Sequence, residues 1–451
     1  MTSHTHFHKP SKIDDFIQRF FYDRYDAFRD EVIFAPKRFS YEIDTDLIWD
    51  FYEMGPDVRV DIVRNSLRLS RIEPENSYLF HTNAPSARGI NSNTVLYVEV
   101  ENFRLTASVY HQESDQFIVI YNGPTNNNER LNEFWILYNK SNIGRIYGDF
   151  GYILSLLDAG HFINQTSFIS SLHNETVLIQ YDDINDLGLN LTNHEFHILA
   201  KVTLSPSLES ASQQILTKEH QQNLCKFTVH HDVPFQENPL NNYLQLLFKG
   251  SQIRFSENNT QDCIHYFENI KATMYNRTSS QSPQGFSGFI FENNSKEMNN
   301  LIEYISTCLQ SLSTQRYFRL LLLNLGAVNN NEGVLISNEG IQEVDLRTFD
   351  KNCILQDGHD YLELNGCKYI IFTIIQKELL HQPSGLNYSL IQSAELIHSI
   401  SLYLTGQVYD TRPMKNINER YLEQVFKLDN SLVSYMLIAG KSHHYNLRLE
   451  I

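Results

Sequence analysis

The chain has 451 residues, enough for two or three domains that each bury a core of their own. Hydrophobic residues make up 41% of it and charged residues 20%, which is typical of a globular protein and excludes a disordered or fibrous one. The 36 basic and 53 acidic side chains give a net charge of −17. Because an acidic surface repels phosphate backbones and anionic lipid, we expect neither nucleic acid nor a membrane as a partner.

Several common classes of segment and site are missing from the sequence. The N-terminus, MTSHTHFHKPSK, lacks the apolar stretch of a secretory signal, and no apolar run approaches the roughly 18–20 residues that cross a bilayer. The five cysteines lie far apart without a C-x-x-C pair, and no H-E-x-x-H, Walker or G-x-G-x-x-G motif occurs. We therefore expect a cytoplasmic protein with no metal site, no disulfide scaffold and no dedicated NAD site.

The predicted elements begin with a helix and continue with strands. Apolar residues at helical spacing follow Ser11 and predict an N-terminal helix that includes Phe21. Segments rich in β-branched and aromatic residues predict three strands, at 94–100, 105–110 and 117–121. The turn-forming Asn122-Gly-Pro is expected to end the third. A long buried helix is predicted from Ile153 to about His173.

The second half of the sequence repeats an order of elements found in the first. In each half a long helix is followed by a loop, a short helix and a strand that ends in small residues. Leu189 and Leu428 correspond, as do Ala200 and Ala439, and both pairs are 239 positions apart (428 − 189 and 439 − 200). A repeat of this size predicts two domains, at 1–205 with an N-terminal helical extension and at 206–451, joined near Ser205-Pro-Ser.

Three segments of the first half resemble the FMN-dependent azoline dehydrogenases of the nitroreductase fold. These enzymes oxidise thiazoline and oxazoline rings in ribosomally made peptides, as in thiopeptide and bacteriocin biosynthesis. The segments are Phe7-His-Lys-Pro-Ser-Lys, Ala84-Pro-Ser-Ala-Arg-Gly, and Arg145-Ile-Tyr-Gly-Asp-Phe-Gly-Tyr with the following Asp158-Ala-Gly-His. The resemblance implies an α+β fold in which two tandem nitroreductase-like domains form an intramolecular pseudo-dimer.

The resemblance also implies a flavin site shared between the halves. In the family's homodimers one subunit supplies a phosphate-binding Arg and Ser, and the other supplies a Pro-Ser segment. Here the first half has Pro85, Ser86 and Arg88, and the second half has Arg277-Thr-Ser279-Ser-Gln281. Two further segments fit poorly: Arg64-Asn-Ser-Leu-Arg precedes Pro85 too closely for the usual intervening helix, and the stretch from Asn324 stands where a second Pro-Ser segment is expected. We therefore expect one composite FMN site and one lost site.

The phosphate assignment also has a physical basis. Alternate residues of an extended segment project to one face, so Arg277, Ser279 and Gln281 can converge on phosphate oxygens. Lys441, which follows a predicted strand, is expected to add a point charge.

The predicted catalytic residue is Tyr147. The family places a Lys-Tyr pair beside the flavin, and here the lysine position holds Ile146. Leu380 and His381 stand at the equivalent positions of the second half. Because a phenol has a reference pKa of about 10, Tyr147 needs a nearby cation or donor to act as a base, and Arg145 and His161 are the nearest candidates in sequence.

The function implied by the resemblance is oxidation of azoline rings in a ribosomal precursor peptide, with cyclodehydratase or other synthetase components as partners. Two alternatives remain open. One is a catalytically inactive paralogue that binds a peptide or a synthetase, which the missing lysine favours. The other is a small-molecule flavin reductase of the same fold.

Overall fold

The fold was analysed in a computed structural model of the chain. It describes residues 12–22, 48–49, 58–72, 80–86, 92–111, 116–127, 130–139, 143, 147–148, 150–181, 187–189, 191, 196–204, 261–277, 295–325, 332–355, 364, 366–441 and 449–450. The predicted domain boundary at 205/206 lies outside these residues.

Two antiparallel sheets form the framework. The strands of the first half are β1 (Ile48–Trp49), β2 (Leu69–Ile72), β3 (Phe80–Thr82), β4 (Asn93–Glu101), β5 (Arg104–His111), β6 (Gln116–Pro124), β7 (Leu131–Asn139), β8 (Val177–Tyr181) and β9 (Phe196–Leu204). Those of the second half are β10 (Phe318–Asn324), β11 (Glu332–Ser337), β12 (Gly340–Glu343), β13 (Cys367–Gln376), β14 (Asp410–Met414), β15 (Ser431–Gly440) and β16 (Leu449–Glu450).

The two sheets have the same strand order. The first is β1-β6-β5-β4-β7-β9-β8 and the second is β12-β11-β10-β13-β15-β14. Apart from the added edge strand β1, each strand of the first sheet corresponds to the strand numbered six higher in the second. The predicted α+β architecture with two tandem halves is thus confirmed.

The three strands predicted between residues 94 and 121 are confirmed as β4, β5 and β6, but β6 does not end at Asn122. It continues to Pro124, which stands opposite Arg104 of β5. On its other side β6 pairs with β1 only at Phe117 and Ile118. A proline lacks a backbone donor, and it is tolerated here because this end of β6 has a described neighbouring strand on one side alone.

The helices include two long ones that lie between the sheets. In chain order they are α1 (Lys12–Ile17, continued by a π-turn at Gln18–Tyr22), α2 (Val58–Ser66), α3 (Phe150–Leu172), α4 (Ile270–Asn276), α5 (Ser295–Gln310), α6 (Lys377–Leu380), α7 (Gly385–Gly406) and α8 (Glu419–Val425). The predicted long helix is confirmed as α3. None of the helices within the described ranges is both long enough and apolar enough to cross a membrane.

The long helices α3 and α7 cross at very small residues. A Cβ atom added at Gly160 would lie 2.7 Å from the Cβ of Ala394 and would collide with the backbone oxygen of Ile391. Only a residue without a side chain allows this approach, which brings the two backbones together along a central core that contains residues of both halves. Polar residues of both helices are buried with the apolar ones.

The repeat predicted from the sequence is also found in the packing. Leu189 belongs to the apolar cluster on the outer face of the first sheet, and Leu428 to the matching cluster on the second. Ala200 and Ala439 both lie in the central core. The short helix expected in each half is α8 in the second half; with the same offset of 239, its counterpart in the first half falls at 180–186, where residues 182–186 lie outside the described part of the chain.

Each half is also held by a terminal segment of the other. The hydroxyl of Tyr22, after α1, donates to Glu423 of α8 at 2.9 Å, and Asp14 of α1 lies 3.4 Å from His381. In the opposite direction, β16 of the second half pairs with β2 of the first through Leu449 and Ile72. These exchanged contacts join the halves into one structural unit.

Candidate functional site

Arg277 lies against the segment that leads to Pro85. It follows α4 in an extended conformation (φ −60°, ψ 118°), and its Nε–H donates to the backbone oxygen of Asn83 at 3.2 Å. Asn83 belongs to the first half and Arg277 to the second. The helices that precede them, α2 and α4, are joined by an ion pair between Asp61 and Lys271. The geometry therefore places Arg277 beside the segment that leads to Pro85, and the flavin-binding role of both stays a prediction.

Ser66, at the end of α2, completes this cluster. Its backbone oxygen accepts from the amide of Ala84 at 3.3 Å, and its side chain is fully buried. Among the described residues, neither the hydroxyl of Ser66 nor the side-chain oxygen of Asn83 has a hydrogen-bond partner. A buried polar atom without a partner costs about 1–3 kcal/mol, so such atoms beside an arginine indicate a place for a polar ligand group.

The other predicted residues of this site are described only in part. Pro85 and Ser86 are half-buried. Arg88, Ser279 and Gln281 lie outside the described residues. Ser66 belongs to the segment Arg64-Asn-Ser-Leu-Arg, which fitted the family pattern poorly because it stands so close to Pro85. In the described residues between Ser66 and Asn83 two short strands, β2 and β3, pair with each other, and residues 73–79 lie outside the described part of the chain.

The predicted correspondence between the Pro85 segment and the stretch from Asn324 is wrong. Pro85 precedes β4, whereas Asn324 is the last residue of β10, the strand that corresponds to β4. The residues that precede β10 are instead those around Thr314, whose hydroxyl bonds with the Tyr388 hydroxyl at 2.6 Å. The position of Asn324 in the sequence was misleading. Only the strand order of the two sheets shows that the apolar residues of β10 correspond to β4.

A buried group of histidines and a tyrosine lies next to Arg277. Nε2 of His161, on α3, shares a hydrogen bond of 3.0 Å with the hydroxyl of Tyr435 on β15. His398, on α7, donates from Nδ1 to the backbone oxygen of His161 at 3.0 Å. All three side chains are buried.

The histidines of this group are held in the neutral form. Burial, followed by the neighbouring His398 and Arg277, keeps the pKa of His161 well below its usual value. Burial and the charge of Arg277 lower the pKa of His398 to about 3. Burial and the charge of Asp158 raise the pKa of Tyr435, against a smaller opposite effect of Arg277. Arg277 is therefore the cation of this region at neutral pH.

The Asp158-Ala-Gly-His segment, the most specific part of the sequence resemblance, has a packing role. Asp158 accepts a hydrogen bond of 2.6 Å from the hydroxyl of Ser92, which anchors the residue just before β4. Gly160 allows the helix crossing, and His161 reaches Tyr435. His161 lies in the fourth turn of α3, which begins at Phe150, three residues before the predicted start.

Tyr147 lies just before α3 and packs, half-buried, against the central core. Of its two expected cationic neighbours, Arg145 lies outside the described residues. His161 is buried, uncharged at neutral pH and bonded to Tyr435, so the expectation that it supplies positive charge to Tyr147 is wrong. The second-half residue at the equivalent position, His381, is near Asp14 of α1.

Lys441 belongs to a different polar cluster. Its ammonium lies 5.5 Å from the ring centre of Tyr409. The Glu297 carboxylate accepts from Lys368, Tyr369 and Tyr409 at 2.7–2.9 Å, and these bonds keep its pKa low although burial raises it. Because Lys441 stands six positions after Tyr435, just past the end of β15, about 20 Å of extended strand lies between this cluster and the one around Arg277.

A protein of Anabaena variabilis ATCC 29413, assigned to the nitroreductases, superimposes over 96% of this chain and 99% of its own length, with a TM-score of 0.68 and 14% identity. The chain has a nitroreductase-like fold. The resemblance stated from the sequence is thereby confirmed at the level of the fold.

Two further solved structures match a part of the nitroreductase-like chain. A nitroreductase-assigned protein of Ralstonia eutropha JMP134 covers 39% of this chain and 84% of its own, with a TM-score of 0.30 and 13% identity. A chain of the Escherichia coli microcin synthetase McbBCD complex with truncated pro-MccB17 bound covers 47% of this chain and 85% of its own, with a TM-score of 0.24 and 14% identity. No protein-family model matches the sequence, and no curated protein matches it.

Proposed function

We propose that the chain is an FMN-dependent oxidoreductase with one flavin site between its two halves. The observation that carries the proposal is the contact between Arg277 of the second half and Asn83 of the first, two residues before Pro85. The full-length match to a nitroreductase-like fold supports it. So do the polar side-chain atoms of Ser66 and Asn83 that have no hydrogen-bond partner among the described residues, since Asn83 itself contacts Arg277.

The residues of this cluster fit a phosphate group. A guanidinium can donate two parallel N–H hydrogen bonds to phosphate oxygens, and a serine hydroxyl can donate one more. Arg277 and Ser66 would hold the phosphate, with Ser279, Gln281 and Arg88 as the neighbours that the sequence places next to them. Pro85 and Ser86 would line the approach from the first half. Bound FMN would supply the acceptor for a hydride.

We further propose that the substrate is an azoline ring in a ribosomally made precursor peptide. Conversion to the azole removes two electrons and two protons, so a side chain must take a proton from the ring carbon. Tyr147 is the residue proposed for that transfer, on the resemblance of its segment to the azoline dehydrogenases. The net charge of −17 favours a precursor peptide with basic residues, and a cyclodehydratase would supply the azoline.

One observation favours a second candidate, a flavin-free paralogue that binds a peptide or a synthetase component. Arg277 is 3% exposed, which is the burial expected of a side chain that joins the two halves without contacting a ligand. Reconstitution of the purified chain with FMN separates the two: a yellow protein with one flavin per chain supports the oxidoreductase, and a chain that stays colourless supports the paralogue. Conversion of a synthetic azoline peptide to its azole by the yellow protein then tests the substrate.

A further inference from the structure

Two cysteines that are distant in sequence meet in the interior of the second half. Cys263 lies in a 3₁₀ turn at Gln261–Tyr266, and Cys308 lies in the last turn of α5. Their sulfur atoms are 3.5 Å apart, and both side chains are buried. The structure contains both as thiols. No pattern along the sequence indicates this pair, because its members are 45 positions apart.

The surroundings of Cys308 favour its reactive form. The hydroxyl of Ser399, on α7, lies 3.6 Å from its sulfur and also bonds with the hydroxyl of Tyr304 at 2.7 Å. Burial raises the pKa of the Cys308 thiol, but hydrogen bonds from Cys263, Ser399 and Tyr304 outweigh it, so that the pKa is lowered. A thiolate is the nucleophile in thiol oxidation, and Cys308 is therefore the sulfur that reacts first.

A small cavity opens beside the two sulfur atoms. It has a volume of about 40 Å³, and its lining includes Cys263, Cys308, Ser399, Asn164 and Ser167. A water molecule needs roughly 10–15 Å³ of such volume, so a molecule the size of hydrogen peroxide fits next to the thiols. Apolar residues such as Ile179 and Leu312 also line the cavity, and the polar side chains of Asn164 and Ser167 are available to hydrogen-bond such a molecule.

We propose that Cys263 and Cys308 form a redox-active dithiol site that hydrogen peroxide converts to a disulfide. The Cys308 thiolate attacks one peroxide oxygen, an S–O bond forms as the O–O bond breaks, and the leaving hydroxide takes a proton. The thiol of Cys263 then attacks the sulfur of the resulting sulfenic acid; the S–S bond forms and water leaves. Two thiols lose two electrons and two protons, and the peroxide is reduced to two waters.

The geometry allows the second step with a small movement. A disulfide needs its sulfur atoms about 2.05 Å apart, so each must move by less than about 1 Å from the present separation. The bond would fasten the 3₁₀ turn at 261–266 to α5. It does not depend on bound flavin.

The test oxidises the reduced full-length chain with hydrogen peroxide, followed by thiol blocking and peptide mass spectrometry without reductant. We expect a Cys263–Cys308 cross-linked peptide, a fall in titratable thiols from five to three, and full reversal by dithiothreitol. The exposed Cys353 provides the control, and the Cys353→Ser variant should still form the cross-link. The proposal is overturned if Cys263 and Cys308 remain fully blockable after Cys353 has been consumed, or if the cross-link joins other cysteines.

A second variant tests the order of the steps. In Cys263→Ser the sulfenic acid on Cys308 has no resolving thiol, so it should accumulate and react with dimedone, whereas wild type should not be labelled at Cys308. Absence of label at Cys308 in this folded variant would contradict Cys308 as the first sulfur to react. Circular dichroism confirms that the variant is folded.

Discussion

Gly160 of α3 touches Ala394 of α7 at the point where the two long helices cross, and the backbone of the second helix leaves no space for a side chain there. The crossing is the place at which the central cores of the two halves become one. It also fixes the positions of His161 and His398, which follow on the same helices. Substitution of Gly160 therefore tests how the two helices are packed in the interior.

Replacing Gly160 by alanine should destabilise the protein although alanine is the better helix former. The new methyl would collide with the Ile391 backbone oxygen, and overpacking of this kind costs about 1–3 kcal/mol. Urea denaturation measures the free energy of unfolding. The control is Gly406→Ala at the end of α7, where nothing lies within 4 Å of the added atom, and which should be neutral or stabilising. Equal effects of the two variants would contradict the close crossing.

The buried histidines should make the protein less stable as the pH falls below about 6.5. His398 stays neutral in the folded state because its pKa is lowered to about 3, whereas in the unfolded chain it takes up a proton near pH 6.5. Between these values the unfolded state binds the additional proton, so the free energy of unfolding decreases as the pH decreases. At pH 5 the loss from His398 is about 2 kcal/mol.

The variant that isolates this effect is His398→Asn, which keeps a side-chain N–H near the oxygen of His161. Urea denaturation at pH 7 and pH 5 should show a smaller difference between the two pH values for this variant than for wild type. His265→Asn, at an exposed position, should retain the wild-type difference. An unchanged difference in His398→Asn would show that this histidine is not held neutral.

Loss of the Glu297 carboxylate should lower the melting temperature far more than loss of an exposed carboxylate with equally good hydrogen-bond geometry. Glu297→Gln leaves Lys368, which is 5% exposed, without its counterion; because Glu297 itself is 24% exposed, the cost should lie below the roughly 3–5 kcal/mol of a fully buried pair. The exposed pair of Asp345 and Arg347 offers the comparison, and Asp345→Asn should leave the melting temperature unchanged. The account of the Glu297 cluster would be wrong if both variants melted like wild type.

If Tyr147 transfers a proton in the proposed reaction, Tyr147→Phe should retain flavin and slow azole formation. Removal of a general acid or base typically lowers the rate by about 10²–10⁴-fold. The matched control is Tyr121→Phe, whose hydroxyl lies at the end of β6 near Pro124. Rates measured on the flavin-loaded variants with an azoline peptide check this, and an unaltered rate for Tyr147→Phe would remove Tyr147 from the mechanism.

The sequence predicted the strands and helices that have a regular apolar pattern. It also predicted that Arg277 lies near the Pro85 segment. β4, β5 and α3 follow from β-branched runs and helical spacing, and the tandem halves follow from a shared order of elements around Leu189 and Leu428. The closeness of Arg277 to the Pro85 segment could be inferred because each half had kept a different part of the family pattern.

The remaining features depend on contacts between distant residues. Ser66 lies close to Ala84 through a backbone hydrogen bond, which its separation from Pro85 in the sequence does not reveal. Lys441 was grouped with Arg277 on residue type, yet β15 carries it toward Tyr409. The neutral state of His161 results from burial between two helices and from the charge of Arg277, neither of which is visible along the chain.

The proposed flavin site is tested most directly by FMN titration of Arg277→Ala beside Lys441→Ala, with binding followed by the quenching of flavin fluorescence. The account predicts that wild type and Lys441→Ala bind one FMN per chain with similar affinity, and that Arg277→Ala binds at least about 10-fold more weakly, since a charge-assisted hydrogen bond contributes about 1.5–3 kcal/mol. Unchanged FMN affinity in a folded Arg277→Ala chain would contradict a phosphate site between the two halves.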